Sequence, residues 1–188
     1  SAVFLMLKAF YDVAGRENVE RLSVEYSLSS ALFILAKGSF TLDQDLLDRV
    51  EARMRELSAA AVPIEKRSIS TDDAVELFRQ NRMPHKAHLL SFRINSHVNV
   101  YSLDGFVDYF YGYMAPDTSY VKCFGLELFE NGFVLRLPTQ ADPNQLGEFR
   151  PSQKVFRALY ESSQRSQALS ASNVAELNTT ISQGGAMP

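Results

Sequence analysis

The stretch Tyr101–Pro138 reads YSLDGFVDYFYGYMAPDTSYVKCFGLELFENGFVLRLP and decides the fold. It holds five of the thirteen phenylalanines, five of the eight tyrosines and the only cysteine of the 188-residue chain. Its apolar runs are separated by turn dipeptides, among them Asp104-Gly105 and Asn131-Gly132. An Asn-Gly pair between apolar runs favours a hairpin with a type I′ turn, because both of its residues readily adopt positive φ. The stretch therefore predicts a sheet core with an aromatic ridge.

The sequence before this stretch shows helix and strand patterns in turn. Ala2–Val13 has apolar residues at helical spacing, and Gly15 is suited to end that helix. Val19–Lys37 has the pattern of two short strands. Thr41 and Gln44 fit a capping box, in which a hydroxyl and an amide three residues later cap the start of a helix.

The patterns together predict an α+β fold, in which an antiparallel sheet is packed by helices. After Pro138 the chain turns polar and then helical, with helices expected over Gln153–Leu169 and Ala171–Ile181. We expect residues 1–140 to form one module. Residues 141–188 would form a linker with a helical C-terminal appendage.

Composition bounds the possible functions. An apolar share of 46% and a charged share of 22% are those of a globular protein. A net charge of −3 does not favour nucleic-acid binding through bulk electrostatics, although a local basic patch stays open. A single cysteine fits a reducing compartment, so we expect a cytoplasmic protein. The longest apolar runs are far shorter than the roughly 20 residues that span a bilayer, so we expect no membrane association.

The sequence lacks the common catalytic signatures. It contains no GxxxxGK[ST] phosphate loop, no GxGxxG motif and no GxSxG elbow. Cys123 could act as a nucleophile beside a histidine, or it could be a packed thiol in the middle of a strand. The first residue is not methionine, and we expect the chain to be a piece of a longer protein.

Three side chains are candidates for binding an ion. His85 and His88 are three residues apart and would share a helix face, but a metal site needs further ligands, and no HExxH motif is present. A surface histidine pair is the simpler interpretation. Arg136 lies in the apolar strand VLRL, where it could pair with Glu127 or with the anionic group of a ligand.

The aromatic cluster between Phe106 and Tyr120 allows three interpretations. Its side chains could belong to the core, form a patch that faces a protein partner, or offer a surface on which nucleic-acid bases stack. The residues alone do not choose among them.

Two segments resemble a known family. Val24–Phe78 resembles the second N-terminal domain of threonyl-tRNA synthetases, where a strand pair leads into a T-x-x-D/E…L…R-M…L helix and then a PI-x-K strand. Phe106–Leu128 is similar to the closing D-x-C-R-G-P-H-x-P motif of that domain and the F-x-L strand after it. The matching positions are Asp108, Gly112, Pro116, Phe124 and Leu126.

The resemblance implies where a catalytic site would lie. In that synthetase domain, two histidines of an H-S-x-x-H-L-L helix and a Cys-x-x-x-His pair form the editing site, and a related domain of alanyl-tRNA synthetases binds zinc with the same groups. Here the second helix histidine falls on Phe4, and the first would precede Ser1. The Cys-x-x-x-His pair falls on Phe110 and Met114. We therefore expect a degenerate site without editing chemistry or a metal.

The stretch Tyr101–Pro138 also resembles a second family. Its YSLDGF-x-DYF-x-GYM-x-P-x-T-x-Y pattern and its GFVLR-x-P strand resemble the N-terminal region of bacterial uridine kinase-like (nucleoside kinase) proteins. That resemblance implies a P-loop kinase domain beyond Pro188 as the chain's partner, which would bring ATP and Mg²⁺ to the full-length protein. It implies no cofactor for this segment.

The resemblances thus imply a non-catalytic N-terminal region of a uridine kinase-like protein, with a scaffold, regulatory or ligand-sensing role. The full-length protein would then be an ATP-dependent nucleoside kinase. One alternative is a tRNA-associated module, either a trans-editing hydrolase or an RNA-binding domain. The other is an interaction module that forms homo-oligomers through its aromatic ridge.

Overall fold

The structure is a computed structural model that describes residues 1–28, 30–81, 83–92 and 95–168. Within them it contains five α-helices and seven β-strands. The helices are α1 (Ala2–Ala14), α2 (Gln44–Ala59), α3 (Thr71–Gln80), α4 (Pro84–Ser91) and α5 (Gln153–Ala168). The strands are β1 (Val19–Leu28), β2 (Ala31–Gly38), β3 (Glu65–Ser70), β4 (His97–Leu103), β5 (Phe106–Tyr109), β6 (Gly125–Phe129) and β7 (Gly132–Arg136). The predicted α+β fold is confirmed.

The strands form two sheets. The larger has the order β1-β2-β7-β6, and all three of its pairings are antiparallel. The smaller has the order β3-β4-β5. The continuous apolar run in β2 is explained by its central position, because a strand paired on both sides and covered by side chains has little contact with water.

The described chain divides into two compact units. Unit 1 comprises Ser1–Glu65, Ser102–Asp108 and Gly112–Ser152, and unit 2 comprises Lys66–Tyr101, Tyr109–Tyr111 and the described residues from Gln153. The boundary predicted between residues 140 and 141 stays a prediction. The helix predicted over Ala171–Ile181 lies outside the described residues.

The core of unit 1 lies between α1, α2 and the larger sheet. The Phe10 ring on α1 stacks on the Phe133 ring of β7, with centroids 5.8 Å apart, and meets Phe40 edge to face at 5.3 Å. The apolar stripe of α2 is buried as its helical spacing predicts, and it consists of Leu46, Leu47, Val50, Met54 and Leu57.

Unit 2 is built largely on helices. α3 packs against α4, and Ala74, Val75 and Phe78 form the buried face of α3. Ser70 caps α3 by accepting a hydrogen bond from Asp73 N. On α5, Phe156 is buried and stacks on Tyr160 at 5.9 Å.

Two local predictions were wrong. α2 is capped by Asp43, whose Oδ1 accepts a hydrogen bond from Leu46 N at 2.8 Å, and not by a Thr41 capping box. The β6–β7 hairpin exists, but Phe129 pairs with Gly132, so its loop is Glu130-Asn131. Positive φ occurs there at Glu130 (51°).

The pattern expected of a type I′ turn is found in the β4–β5 connection. Asp104 and Gly105 both have positive φ, 46° and 75°, and are the two residues between these strands. Asp104-Gly105 thus forms the turn expected of a dipeptide in the stretch Tyr101–Pro138, whereas Asn131-Gly132 does not.

Candidate functional site

Phe4, the first residue of the expected degenerate site, is part of a closed core. It lies in the first turns of α1 and is fully buried. Its ring centroid is 5.5 Å from that of Phe106 on β5. The position that would carry a histidine in an editing site is therefore occupied by an aromatic ring packed against another aromatic ring.

Met114 lies close to the same end of α1. It is half-buried in the irregular segment after β5. The next residue, Ala115, donates its backbone N–H to Ser1 Oγ at 2.8 Å, which places this segment beside the start of α1. Neither a thioether nor a phenyl ring can transfer a proton, so these two positions supply no general acid or base.

Phe110 belongs to unit 2. It is half-buried, and it follows Tyr109 and precedes Tyr111, whose rings meet edge to face at 5.3 Å. A phenylalanine here offers no thiol nucleophile and no metal ligand. The assignment of Phe4, Phe110 and Met114 to a former catalytic site continues to rest on the resemblance.

A polar cluster lies next to Phe106. Asp108 on β5 is 1% exposed, and Tyr11 on α1 is half-buried. Burial raises the pKa of the Tyr11 hydroxyl, the Asp108 carboxylate raises it further, and Arg16 opposes both effects. The Arg16 guanidinium lies 5.5 Å from the centre of the Tyr11 ring and 5.8 Å from that of Phe106.

We interpret this cluster as a structural network. Asp108 and Arg16 act on the Tyr11 phenol in opposite directions, and its raised pKa keeps the phenol in its neutral form at neutral pH. The sequence indicated Asp108 through its match to the synthetase motif, but it did not indicate Tyr11 or Arg16 as members of the cluster. Tyr11 lies seven residues after Phe4, two helical turns along the same face of α1, and that spacing was the available signal.

The structure describes the side chains of two of the three histidines, His88 and His97. His88 is exposed, and its ring meets Phe92 edge to face at 5.0 Å. His97 is exposed and its Nδ1 lies 3.1 Å from Ser96 Oγ. The side chain of His85 lies outside the described residues. Across those residues, no cluster of three or more His, Cys, Asp or Glu side chains could hold a metal ion.

Arg136 and Cys123 both lie in unit 1. The Arg136 guanidinium is 3.3 Å from Glu127 Oε2 and donates a hydrogen bond to Gly147 O at 2.6 Å. Protein acceptors thus satisfy part of its hydrogen-bonding capacity. Cys123 is a free, half-buried thiol.

The aromatic cluster divides into buried and exposed members. Phe106 is buried, as a core would require. Tyr111, Tyr113 and Tyr120 are 75%, 93% and 67% exposed. The cluster therefore contains both a buried core residue and exposed aromatic side chains.

A shallow depression lies in unit 1. It has a volume of about 400 Å³ and lies between the last turns of α2 and the segment 119–124. Its lining consists of Arg55, Ser58, Ala59, Ser119, Lys122 and Phe124. Two cationic side chains line it and no carboxylate does.

No helix among the described residues has the length and apolar character needed to cross a membrane.

Sequence comparison relates part of this chain to a family of ligases. No protein-family model matches it. It is 41% identical over 80 residues to the threonine–tRNA ligase of Pelobacter propionicus and 38% identical over 80 residues to that of a Geobacter species, in each case 43% of this chain and 13% of the ligase. It is 30% identical over 125 residues to the threonine–tRNA ligase of Thermotoga maritima, which is 65% of this chain and 19% of that enzyme. The chain spans less than a fifth of these relatives, and the matched part is homologous to threonine–tRNA ligases.

Proposed function

We propose that this chain is a non-catalytic relative of the threonyl-tRNA synthetase editing module, with a scaffold, regulatory or ligand-sensing role in a longer protein. The observation that carries the proposal is the burial of Phe4 against Phe106. An editing site needs a proton-transferring side chain that faces a cleft, and here that position is filled by hydrocarbon.

The test is a deacylation assay with mischarged tRNA. We expect the pure chain to release serine from threonine-specific tRNA mischarged with serine no faster than the uncatalysed background. An editing-competent threonyl-tRNA synthetase domain, assayed in parallel, is the positive control. Deacylation that scales with the concentration of the chain and survives repeated purification would overturn the proposal.

A tRNA-associated module is the second candidate, and the homology to threonine–tRNA ligases favours it. In this alternative the chain binds tRNA without hydrolysing its ester. The net charge of −3 opposes tight binding, so any affinity would depend on a local cationic surface. Binding to tRNA that weakens steeply with added salt would support this candidate, and its absence at low salt would remove it.

A narrower form of the first proposal places this chain in a nucleoside kinase. Its only support is the resemblance of the YSLDGF and GFVLR segments to uridine kinase-like proteins. In it, this chain precedes a P-loop domain that binds ATP and Mg²⁺. The coding sequence downstream of residue 188 tests it: a GxxxxGK[ST] motif after a strand is expected. The pure chain should show no ATP-dependent phosphorylation of uridine.

Self-association is a separate proposal about partners. The exposed Tyr113 and Tyr120 side chains of unit 1 favour a contact surface, since aromatic groups are enriched at interfaces. Light scattering across a concentration series tests it. A strict monomer at high concentration removes it.

A further inference from the structure

The larger sheet buries side chains on both of its faces. Residues paired directly across neighbouring strands share a face, and successive residues of a strand alternate between the faces. The Phe133 ring faces α1, because it stacks on Phe10, so Val134 lies on the opposite side, which we call the second face. Phe33 pairs with Val134, and both are fully buried. By the same register the second face also carries Tyr26, Gly125, Glu127, Phe129 and Arg136.

A row of aromatic rings crosses the second face. The Tyr26 ring stacks on the Phe33 ring at 5.1 Å, and Phe33 meets Phe129 edge to face at 6.1 Å. Phe129 in turn meets Phe149 edge to face at 5.5 Å. Phe149 is not part of the sheet, since it lies in the irregular segment of residues 137–152 between β7 and α5. We call this segment the strap. The last ring of the row is therefore supplied by the strap.

Two further contacts hold the strap to the second face. Arg136 Nη2 donates a hydrogen bond to Gly147 O at 2.6 Å. The Leu146 side chain lies against the backbone of Gly125, where an added Cβ atom would be 3.1 Å from Leu146 Cδ1. Together with Phe149, these contacts come from four consecutive residues, 146–149. Within unit 1, this short part of the strap is laid across the second face.

The rest of the strap has little attachment. Leu146 and Phe149 are only half-buried, and residues 139–145 are exposed. An irregular segment of this length is uncommon within a compact unit and is more often functional than structural. Segments with few buried apolar contacts and a solvated backbone open at a lower free-energy cost than the core does. The strap has these properties, whereas the strands beneath it are paired and packed on α1.

We propose that the strap opens while the sheet stays folded, and that opening uncovers the aromatic row of Tyr26, Phe33 and Phe129. Leu146 and Phe149 leave the second face together. Arg136 then loses Gly147 O but keeps Glu127, whose Oε2 lies 3.3 Å from its guanidinium, so opening leaves no charge unpaired. The chain can thus hide or present an apolar surface. This inference goes beyond the proposed function, because it involves neither the editing positions nor tRNA.

Thiol labelling under native conditions tests the opening. Val134→Cys reports on the second face, and Val50→Cys, at an equally buried position of α2, reports on the core beside α1. Both are made in a Cys123→Ser background, so that each chain has one thiol. Urea denaturation and refolding of each variant give the labelling rate that global unfolding alone would allow. We expect the thiol at position 134 to exceed that rate at least about tenfold, and the thiol at position 50 to match it.

A matched pair of strap variants identifies the segment that opens. Phe149→Ser removes the ring that meets Phe129 and should raise the labelling rate at position 134 about tenfold relative to the global unfolding rate of the same variant. Gln140→Ser changes an exposed residue of the strap outside residues 146–149 and should change that ratio less than about twofold. At position 50, neither substitution should alter the ratio.

Three results would overturn the inference. One is labelling at position 134 no faster than global unfolding allows, which would make the strap part of the core. Another is an equal effect of Phe149→Ser and Gln140→Ser. The third is a Phe149→Ser chain that does not fold, since the sheet would then depend on the strap. None of these results bears on the deacylation assay, so this inference and the proposed function fail independently.

Discussion

The ring of Phe4 on α1 lies 5.5 Å from the ring of Phe106 on β5, and both side chains are buried. If the resemblance to the editing module holds, α1 and the segment that begins with β5 would be the elements that carry the editing residues in that module. In this chain α1 and β5 meet through two aromatic rings, which cannot transfer a proton.

Replacing Phe4 by histidine tests whether this position is closed. Phe4→His buries a polar ring among hydrocarbon, and we expect it to lower the free energy of unfolding by about 3 kcal/mol. Urea denaturation monitored by circular dichroism measures the effect. Phe4→Leu, which stays apolar, should lose roughly half as much. A histidine variant as stable as the unmodified chain would instead indicate a polar, water-accessible site.

Gly132 is required because β7 approaches β2 closely. A Cβ atom at Gly132 would lie 2.3 Å from Ile34 O and 3.0 Å from the Phe33 ring. We expect Gly132→Ala to lower the free energy of unfolding by about 3 kcal/mol, since a backbone oxygen cannot move aside. Gly147→Ala, where nothing lies within 4 Å, should stay within about 0.5 kcal/mol. Equal stabilities for the two variants would contradict the close approach.

Gly132 also marks a limit of sequence-based reasoning. Asn131-Gly132 favours a turn locally, but the glycine lies within β7, where the packing of β2 excludes a side chain. Propensity describes one residue and its neighbours in sequence, whereas this constraint comes from a strand almost a hundred residues earlier. The helical stripe of α2 was predictable because its periodicity is contained in the segment itself.

The candidate sites show the same difference. Phe4 and Met114 were identified from motif positions, and no local pattern indicated that Arg16 would lie over Tyr11 and Phe106. The depression lined by Arg55 and Lys122 was also missed. Its two sides come from α2 and from a segment more than 60 residues later, so only the folded chain brings them together.

Thr118 links the end of α2 to the segment after it through buried hydrogen bonds. Thr118→Val keeps the shape but leaves Leu57 O and Val62 N without this partner. We expect the free energy of unfolding to fall by about 3 kcal/mol, because one buried and one half-buried backbone group lose a hydrogen bond. Thr139→Val removes the hydroxyl at an exposed position and should cost less than about 0.5 kcal/mol. Chemical denaturation measures the loss in free energy of unfolding of each variant. Similar losses in the two variants would contradict a special role for Thr118.

Tyr11 should make the fold sensitive to alkaline pH. Its folded-state pKa is raised above the ordinary value of 10.0, first by burial and then by Asp108. The unfolded chain therefore loses the phenol proton at a lower pH than the folded chain does. The contribution of Tyr11 to stability is fully present below the unfolded pKa, and it is lost as the pH rises through the folded pKa, by at most about 1.4 kcal/mol per pH unit.

Denaturation between about pH 8 and pH 11 measures this loss. Other groups titrate in the same range, so the comparison is with Tyr11→Phe, in which the decline should be shallower. Tyr120→Phe removes a hydroxyl from an exposed ring and should leave the decline unchanged. If Tyr11→Phe and the unmodified chain lose stability in parallel, the phenol is not held neutral by its surroundings, and the proximity of Asp108 has no energetic consequence.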